Sequence, residues 1–365
     1  AISSGGLLSS DGPGDRLKSE YILKGYKDFG YDAVGVQWRD LAYGEDFVQH
    51  DGLQWIASNW RHDNFKNDII ITRKVAGKDR IIRVLSWLDP ARSPMQAMAS
   101  AEQPAIDDKQ LVVDALTASK KRGETTVLTT TLPLQVAQQQ FPVELIDILF
   151  IKSAYEVFGE PQKIGNTLVL QPGSRGMRIA RLDMQLGEHG QITEWKHKVI
   201  AMPESVADAP RMAAWYEEYN AKVKADYLKR VELRKKRETG KSPYAGEAVC
   251  KTCHAAQHAV WFKTDHAIAF EDLESVNKAF DPDCIKCHTV AFEQDGGFVD
   301  INITPHLMGV QCENCHGAGR QHVEAAGKKP LGNATWKPEQ MCAQCHVQKH
   351  SPGFDYSTYW PKIAH

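Results

Sequence analysis

The sequence predicts a chain of two parts: a layered α/β domain first, then a domain built mostly of helices and loops. Three observations predict it. The length, 365 residues, exceeds what a single hydrophobic core usually serves and points to about two domains. Up to about residue 205, strand-like apolar runs alternate with helical ones, the pattern of an α/β layer architecture. All eight cysteines fall after residue 249, so the two parts differ in chemistry as well as in texture.

In the first part, β-branched and alternating runs predict strands at Asp32 to Val36, Asp68 to Arg73, Ile81 to Leu85, Thr126 to Thr130, Leu145 to Ile151, Thr167 to Leu170 and Arg178 to Gln185. Helical periodicity predicts Asp15 to Phe29, Asp108 to Lys121 and Leu132 to Gln140. From Glu204 to Glu238 the texture changes. Trp215, Tyr219, Val223, Tyr227 and Val231 recur every four residues and make one apolar stripe on a packing helix. Its basic end, Lys229 to Arg237, reads as a solvated helix C-terminus, with a docking patch as the alternative. Thr239 to Glu247, with Gly240, Pro243 and Gly246, reads as a linker. The expected domains are therefore 1–205, a connecting helix and linker at 206–240, and 241–365.

Charge and hydropathy exclude more than they propose. A formal net charge of −2, with 25% charged and 42% hydrophobic residues, gives no electrostatic footprint for nucleic acid. The apolar run Val143 to Ile151 is broken by Glu144 and Asp147 and is far shorter than the ~20 residues of a membrane-spanning helix. The chain starts at Ala1 without an initiator Met or a lipid-bearing Cys, which is what a mature secreted product with its signal peptide removed is expected to look like.

The cysteines form four pairs with two residues between, each followed at once by histidine. They are Cys250, Cys253 and His254; Cys284, Cys287 and His288; Cys312, Cys315 and His316; and Cys342, Cys345 and His346. In this spacing two sulfurs reach the two vinyl groups of one haem as thioethers, and the next residue offers its imidazole to the iron. Zinc sites of four thiolates, or a disulfide framework, would use the pairs without the histidines. With 14 His in 365 residues, four chance successes at the required positions have a probability of order 10⁻⁶, which favours haem. Four covalently bound haem c groups are expected, and with them a periplasmic or extracellular location.

So few side chains serve each haem that the porphyrins must supply much of the core. The non-motif histidines of this region are His258, His266, His306, His322, His350 and His365. His258 and His350 each follow a motif histidine by four residues on one helical face and cannot reach across that haem, so they read as surface or supporting residues. His266, His322, His365 and His306 are the distal iron-ligand candidates, His266 better placed for a neighbouring haem than for that of His254. His50, His62, His189 and His197 lack ligand spacing and read as structural or exposed.

From Cys250 to His365 the chain resembles the tetrahaem cytochrome c-554 family. The resemblance rests on Tyr244-Ala-Gly-Glu-Ala-Val-Cys-Lys-Thr-Cys-His254, on Trp261-Phe-Lys-Thr-Asp-His266-Ala, on Gly309-Val-Gln-Cys-Glu-Asn-Cys-His316-Gly-Ala-Gly with His322, and on Phe354 to His365. It implies mostly bis-histidine haems with His266, His322 and His365 at distal positions, and at the second haem an iron whose sixth position holds His306 or no side chain.

The first 205 residues resemble the metallophosphoesterase domain of bacterial 5′-nucleotidases. Gly30-Tyr-Asp-Ala-Val-Gly-Val-Gln-Trp-Arg-Asp-Leu-Ala-Tyr-Gly44 is similar to the segment ending in that family's Gly-Asn-His-Glu, and Gln171 to Asp183 to its closing Gly-turn and strand. The departures fall on the metal ligands. Trp38 and Arg39 stand for the family's Asn and His, Gly6 for an aspartate, Ile151 to Tyr155 for a Gly-His-x-His segment, and Thr130 or Thr131 for a further His. Such side chains cannot cage two divalent ions, so the expectation is a fold kept, metals lost and phosphatase activity lost. Arg39 and Asp40 read as an internal ion pair or a relic of the old site.

Electron transfer is the leading function, since bis-histidine irons change charge without changing ligands. The α/β domain would then be a docking or assembly surface, in an extracellular haem chain. The partners expected are redox proteins, with self-assembly into an oligomer or filament as a further expectation. Two alternatives remain: a redox enzyme acting on a small nitrogen or sulfur compound at a five-coordinate haem, and a sensor that uses the nucleotidase-like pocket.

Overall fold

The structure is a computed structural model and describes all residues except 11, 13, 50, 51, 76, 95–107, 152–158, 172–177, 203–204, 238–240, 348–349 and 352. The chain divides into two compact units, Ala1–Ala213 and Ala214–His365. His50, Lys152 to Tyr155 of the Ile151 segment, and the turn between Gln171 and Arg178 lie outside the described residues.

The first unit is built on parallel pairings flanked by antiparallel edges. β1 (Ile2–Ser3), β2 (Ala33–Gly35) and β3 (Trp55–Ile56) form a small parallel sheet in the order β1-β2-β3. A six-stranded sheet follows, from β4 (Ile69–Val75), β5 (Lys78–Trp87), β6 (Thr125–Thr130), β7 (Ile148–Phe150), β8 (Gly159–Ile164) and β9 (Thr167–Gln171). Its order is β4-β5-β6-β7-β9-β8, with β5, β6, β7 and β9 parallel and the two outer hairpins antiparallel. β10 (Arg178–Leu186) and β11 (Ile192–Ala201) pair antiparallel as a ribbon. The helices are α1 (Asp15–Asp28), α2 (Glu45–Gln49), α3 (Lys109–Lys121) and α4 (Leu134–Gln140).

Where both faces are covered, the parallel strands are rich in apolar and β-branched residues. β6 is buried at all six positions, and Leu85, Leu128, Leu149, Val112 and Leu116 join α3 to one face of the sheet. Val84, Val127, Ile148 and Leu168 pack on the other face, with Leu182, Met184 and Trp195 of the ribbon. The expected strands and helices all form, with small shifts in their ends; Leu145 to Ile151 shortens to β7 behind a 3-10 turn at Val143–Leu145.

Asp40 is fully buried in this unit. Its carboxylate accepts from the main-chain N–H groups of Gly6 at 2.7 Å, Leu7 at 2.7 Å, Leu8 at 3.3 Å and Gln37 at 3.0 Å. The expected Arg39–Asp40 ion pair therefore gives way, at the carboxylate, to a cradle of amides that ties the N-terminal loop to the turn after β2. Gly5 permits the approach, since at φ +79° an added Cβ would lie 1.8 Å from the Gly35 carbonyl oxygen.

In the second unit, α5 (Ala213–Arg237) buries Val223, Tyr227 and Val231, the inner part of the expected stripe. Tyr227 donates to the Val299 carbonyl and to Asp300 at 3.1 Å, and Arg234 to the carbonyls of Phe298 and Gln294. From Ala214 on, α5 is thus an integral part of the second unit. Short helices follow: α6 (Glu247–Lys251), α7 (Ala255–Trp261), α8 (Ala269–Ser275), α9 (Pro282–His288), α10 (Cys312–His316), α11 (Arg320–Glu324), α12 (Pro338–Cys342) and α13 (Tyr356–Tyr359). Buried apolar residues cluster near α8 and α9, among them Phe270, Leu273, Phe280, Ile285, Val290 and Phe298. From Cys312 to His365 no large apolar side chain among the described residues is buried.

Candidate haem centres

Each Cys-x-x-Cys-His motif lies on or beside one helical turn, and the local sequence says why each helix starts where it does. α9 begins with Pro282 behind Asp281, whose carboxylate accepts from the Asp283 N–H at 3.2 Å. α10 is capped in reverse by Asn314, which accepts from the Gln311 N–H at 2.8 Å. Pro338 opens α12, and Gln340 accepts from Lys337 at 2.9 Å. α6 follows Gly246 at φ +86°, where an added Cβ would sit 2.8 Å from the His306 carbonyl oxygen, so only glycine fits. One turn of helix then presents the two sulfurs and the imidazole of each motif together.

The histidines meet in pairs. The rings of His254 and His322 face each other at 6.2 Å between centroids, tilted by 28°. His266 and His346 lie at 6.1 Å, and His316 and His365 at 5.9 Å. Two imidazoles bound to opposite sides of one metal ion, each nitrogen about 2 Å from it, hold their ring centres about 6 Å apart. Each pair joins one motif histidine to one outside the motifs, and His266 lies against the fourth motif's histidine.

Among the described residues no ring contact sets a second imidazole against His288. His306 is exposed beside Gly246, its carbonyl accepting from Gln311 at 2.9 Å. His258 is buried against Glu247, with 2.5 Å between its Nε2 and the carboxylate, and takes no part in a pair of imidazoles.

The ring nitrogens are also oriented. His322 Nδ1 faces the Lys329 carbonyl at 2.7 Å, His365 Nδ1 that of Ile363 at 2.8 Å, His288 Nδ1 that of Ala269 at 2.5 Å and His346 Nδ1 the Ser351 hydroxyl at 3.0 Å. Facing a carbonyl, Nδ1 carries the proton and leaves the Nε2 lone pair for a metal. Burial, with His346 next to it, holds His266 below the usual histidine range; burial and the neighbouring His365 do the same for His316, and burial alone for His346. Neutral imidazole is the form that binds iron.

The eight cysteines form no disulfides, and among the described residues no three Cys, His, Asp or Glu are grouped to hold a metal ion, so the pairs do not converge as four-thiolate zinc sites. Thiols of different motifs lie close together. Cys250 and Cys312 shift each other's thiol, as do Cys287 and Cys345, and Cys342 helps raise that of Cys315. Beside the first and third motifs opens a cavity of about 590 Å³ whose lining includes Cys250, His254, Cys312, His316, His322 and His365. Its size and mostly apolar wall suit a large flat cofactor. Thiols outside any disulfide, imidazoles paired at about 6 Å and an apolar cavity fit haem c. Sequence reading named every motif residue, but it could not say which distant histidine meets which motif.

Such a site is similar to those of c-type cytochromes, the class in which covalently bound haem carries electrons. The particular resemblance is to cytochrome c-554: residues 249–317 match the family described as cytochrome c554 and c-prime. Cytochrome c-554 of Nitrosomonas europaea is 36% identical over 137 residues, which take in 29% of this chain and 58% of that protein. The chain therefore spans little more than half of that relative's length. Among solved structures, a 5′-nucleotidase precursor from Thermus thermophilus overlaps 64% of this chain and 49% of its own, at 12% identity and a TM-score of 0.49. The NAD nucleotidase of Haemophilus influenzae overlaps 68% of this chain and 54% of its own, at 11% identity and a TM-score of 0.48. Among the described residues no helix is long and apolar enough to cross a membrane.

Proposed function

We propose that the chain is a secreted tetrahaem electron conduit. The observation that carries this reading is the set of three imidazole pairs at 5.9–6.2 Å, each joining a motif histidine to a distant one. Cys250 and Cys253, Cys284 and Cys287, Cys312 and Cys315, and Cys342 and Cys345 would hold the four haems. His254 with His322, His316 with His365 and His346 with His266 would be axial pairs, and His288 would bind the remaining iron alone.

Proximity between thiols of different motifs supports an order of transfer. Cys250 is near enough to Cys312, Cys315 to Cys342, and Cys345 to Cys287 for each to shift its neighbour's thiol. Electrons would pass between the motifs in the order first, third, fourth, second. The three histidine pairs would hold their irons in place, and the haems, when bound, would supply one-electron chemistry. Apolar walls around the cavity exclude water and keep the reorganisation small.

The α/β unit is proposed as a docking or assembly surface in an extracellular chain of haem proteins. Support comes from the residues that stand where a two-metal hydrolase needs ligands: Trp38 and Arg39 can bind neither ion. A second reading, a redox enzyme acting on a small nitrogen or sulfur compound, is favoured by one observation only, the unmatched His288.

Haem staining of a denatured gel and the intact mass of the purified chain test the main proposal. Four added haem masses and a low-spin ferric spectrum for most of the iron are expected. A colourless chain, or one with bound zinc in place of porphyrin, would refute it.

A further inference from the structure

We propose that Glu313 is a positioning residue shared by the first and third haems, one that locks their ligands in place and whose buried charge holds both irons toward the ferric state. The proposal rests on the haem reading above. Glu313 lies between the two cysteines of the third motif and is 4% exposed. Its carboxylate accepts from the N–H groups of Ala245 at 3.0 Å, Gly246 at 2.9 Å and Gly319 at 2.7 Å.

Those three donors mark the significance of the contact. Ala245 and Gly246 lead into α6, which precedes Cys253 and His254, and Gly319 leads into α11, which carries His322. His254 and His322 are the two halves of one imidazole pair. A single side chain on α10 thus ties both sides of the first haem site to the base of the third. Gly319 admits the carboxylate closely, since an added Cβ would lie 3.1 Å from its oxygen.

The charge is held by amides and not by a cation. Among the described residues no ion pair to Glu313 forms, and Arg320, next in sequence to Gly319, gives its guanidinium to the carbonyls of Ser242 and Tyr244. Hydrogen bonds from main-chain N–H groups to a carboxylate are charge-assisted. Glu313 lines the same cavity as Cys250, Cys312, His254 and His316. Reduction of Fe(III) to Fe(II) removes one positive charge from each site, and a buried anion nearby opposes that loss.

The test is an optical redox titration of the full, haem-loaded chain and its Glu313→Gln variant, with haem count checked by intact mass. Glu313→Gln keeps the shape and loses the charge. Two of the haem components should move to higher potential, their ferrous-to-ferric ratio at fixed poise rising about tenfold, which is about 59 mV for a one-electron couple. Glu313→Asp keeps the charge and should hold all haems at wild-type potentials. Unmoved potentials in Glu313→Gln with its haems in place, or equal shifts in both variants, would overturn the assignment of charge. If Glu313→Gln loses haem, Glu313→Asp decides alone, and haem loss there too would assign Glu313 to packing only. A wild-type chain without haem would sink the cytochrome reading instead.

Discussion

The two units of this chain solve the same problem with different materials. In the first, strands and helices bury Trp55, Trp87, Leu85, Leu128 and Leu149 against one another, and the core is made of side chains. In the second, the stretch from Cys312 to His365 buries no large apolar side chain among the described residues, while Val323, Trp336, Val347 and Tyr359 stay more than a third exposed. Short helices of five residues or fewer cannot hold themselves in water. Thiols and imidazoles of α10 and α11 line an apolar cavity there. The comparison teaches that the first unit encodes its fold in packing, whereas on the haem reading proposed above much of the second would encode it in bonds to a cofactor.

The sharpest way to break that comparison is to withhold the haem. In the full chain carrying Ser at both cysteines of the third and fourth motifs, residues 312–365 are expected to become sensitive to limited proteolysis, while Ala1–Ala213 keeps its wild-type resistance and melting temperature. Equal loss in both units would show that their stabilities are not separate.

The first unit has its own weak point, and Asp40 is it. Removing a buried carboxylate that satisfies four main-chain donors strands those donors in an apolar interior, at a cost of about 3–5 kcal/mol. Asp40→Ala is therefore expected to lower the stability of the first unit by that amount, read from its denaturation curve, and leave the haem absorption spectrum unchanged. A loss below about 1 kcal/mol would mean that water replaces the carboxylate there.

In the second unit, ligands rather than packing respond to substitution. Carbon monoxide added to the reduced wild-type chain is expected to bind at one haem, that of His288. His322→Ala should add a second site by removing the partner of His254, read as a doubled amplitude in the difference spectrum. No binding in the wild-type chain would mean that His288 has an axial partner after all.

Legibility in the sequence divides along the same line. The four Cys-x-x-Cys-His motifs were plain because the spacing that thioether attachment needs is local, five residues specifying two sulfurs and an imidazole. The pairing of His254 with His322, or of His316 with His365, was not, because it depends on how α11 and the C-terminal segment return to motifs distant in the chain. In the first unit, β6 was evident from its unbroken apolar and β-branched run, but β8 and β11 were missed. β8 carries Glu160, Pro161, Gln162 and Lys163, and as an edge strand it has no need to be apolar. Its identity comes from its hairpin with β9 across Gly165 and Asn166, where Gly165 takes φ +57°. β11 alternates polar and half-buried residues because it pairs only with β10, and Leu182 and Trp195 carry the ribbon's attachment to the core.

The smallest expected effect sharpens the comparison from the side of charge. Glu124 is buried at the end of the α3–β6 connection, where burial alone would push its carboxyl upward. Hydrogen bonds from Arg122 at 2.6 Å and Arg83 at 2.7 Å outweigh that and bring it down to about 2. A carboxyl depressed on folding adds stability that is complete above its unfolded value of about 4.5 and is lost as the pH falls from there through about 2. The first unit should therefore melt progressively lower between about pH 4.5 and about pH 2, and Glu124→Gln should flatten that slope while lowering stability at neutral pH. The imidazoles of the second unit, once bound to iron, would not take up protons over the same interval, so its Soret band should hold where the first unit's transition moves. A common acid transition that Glu124→Gln leaves untouched would show that this ion cluster is not what separates the two units' response to pH.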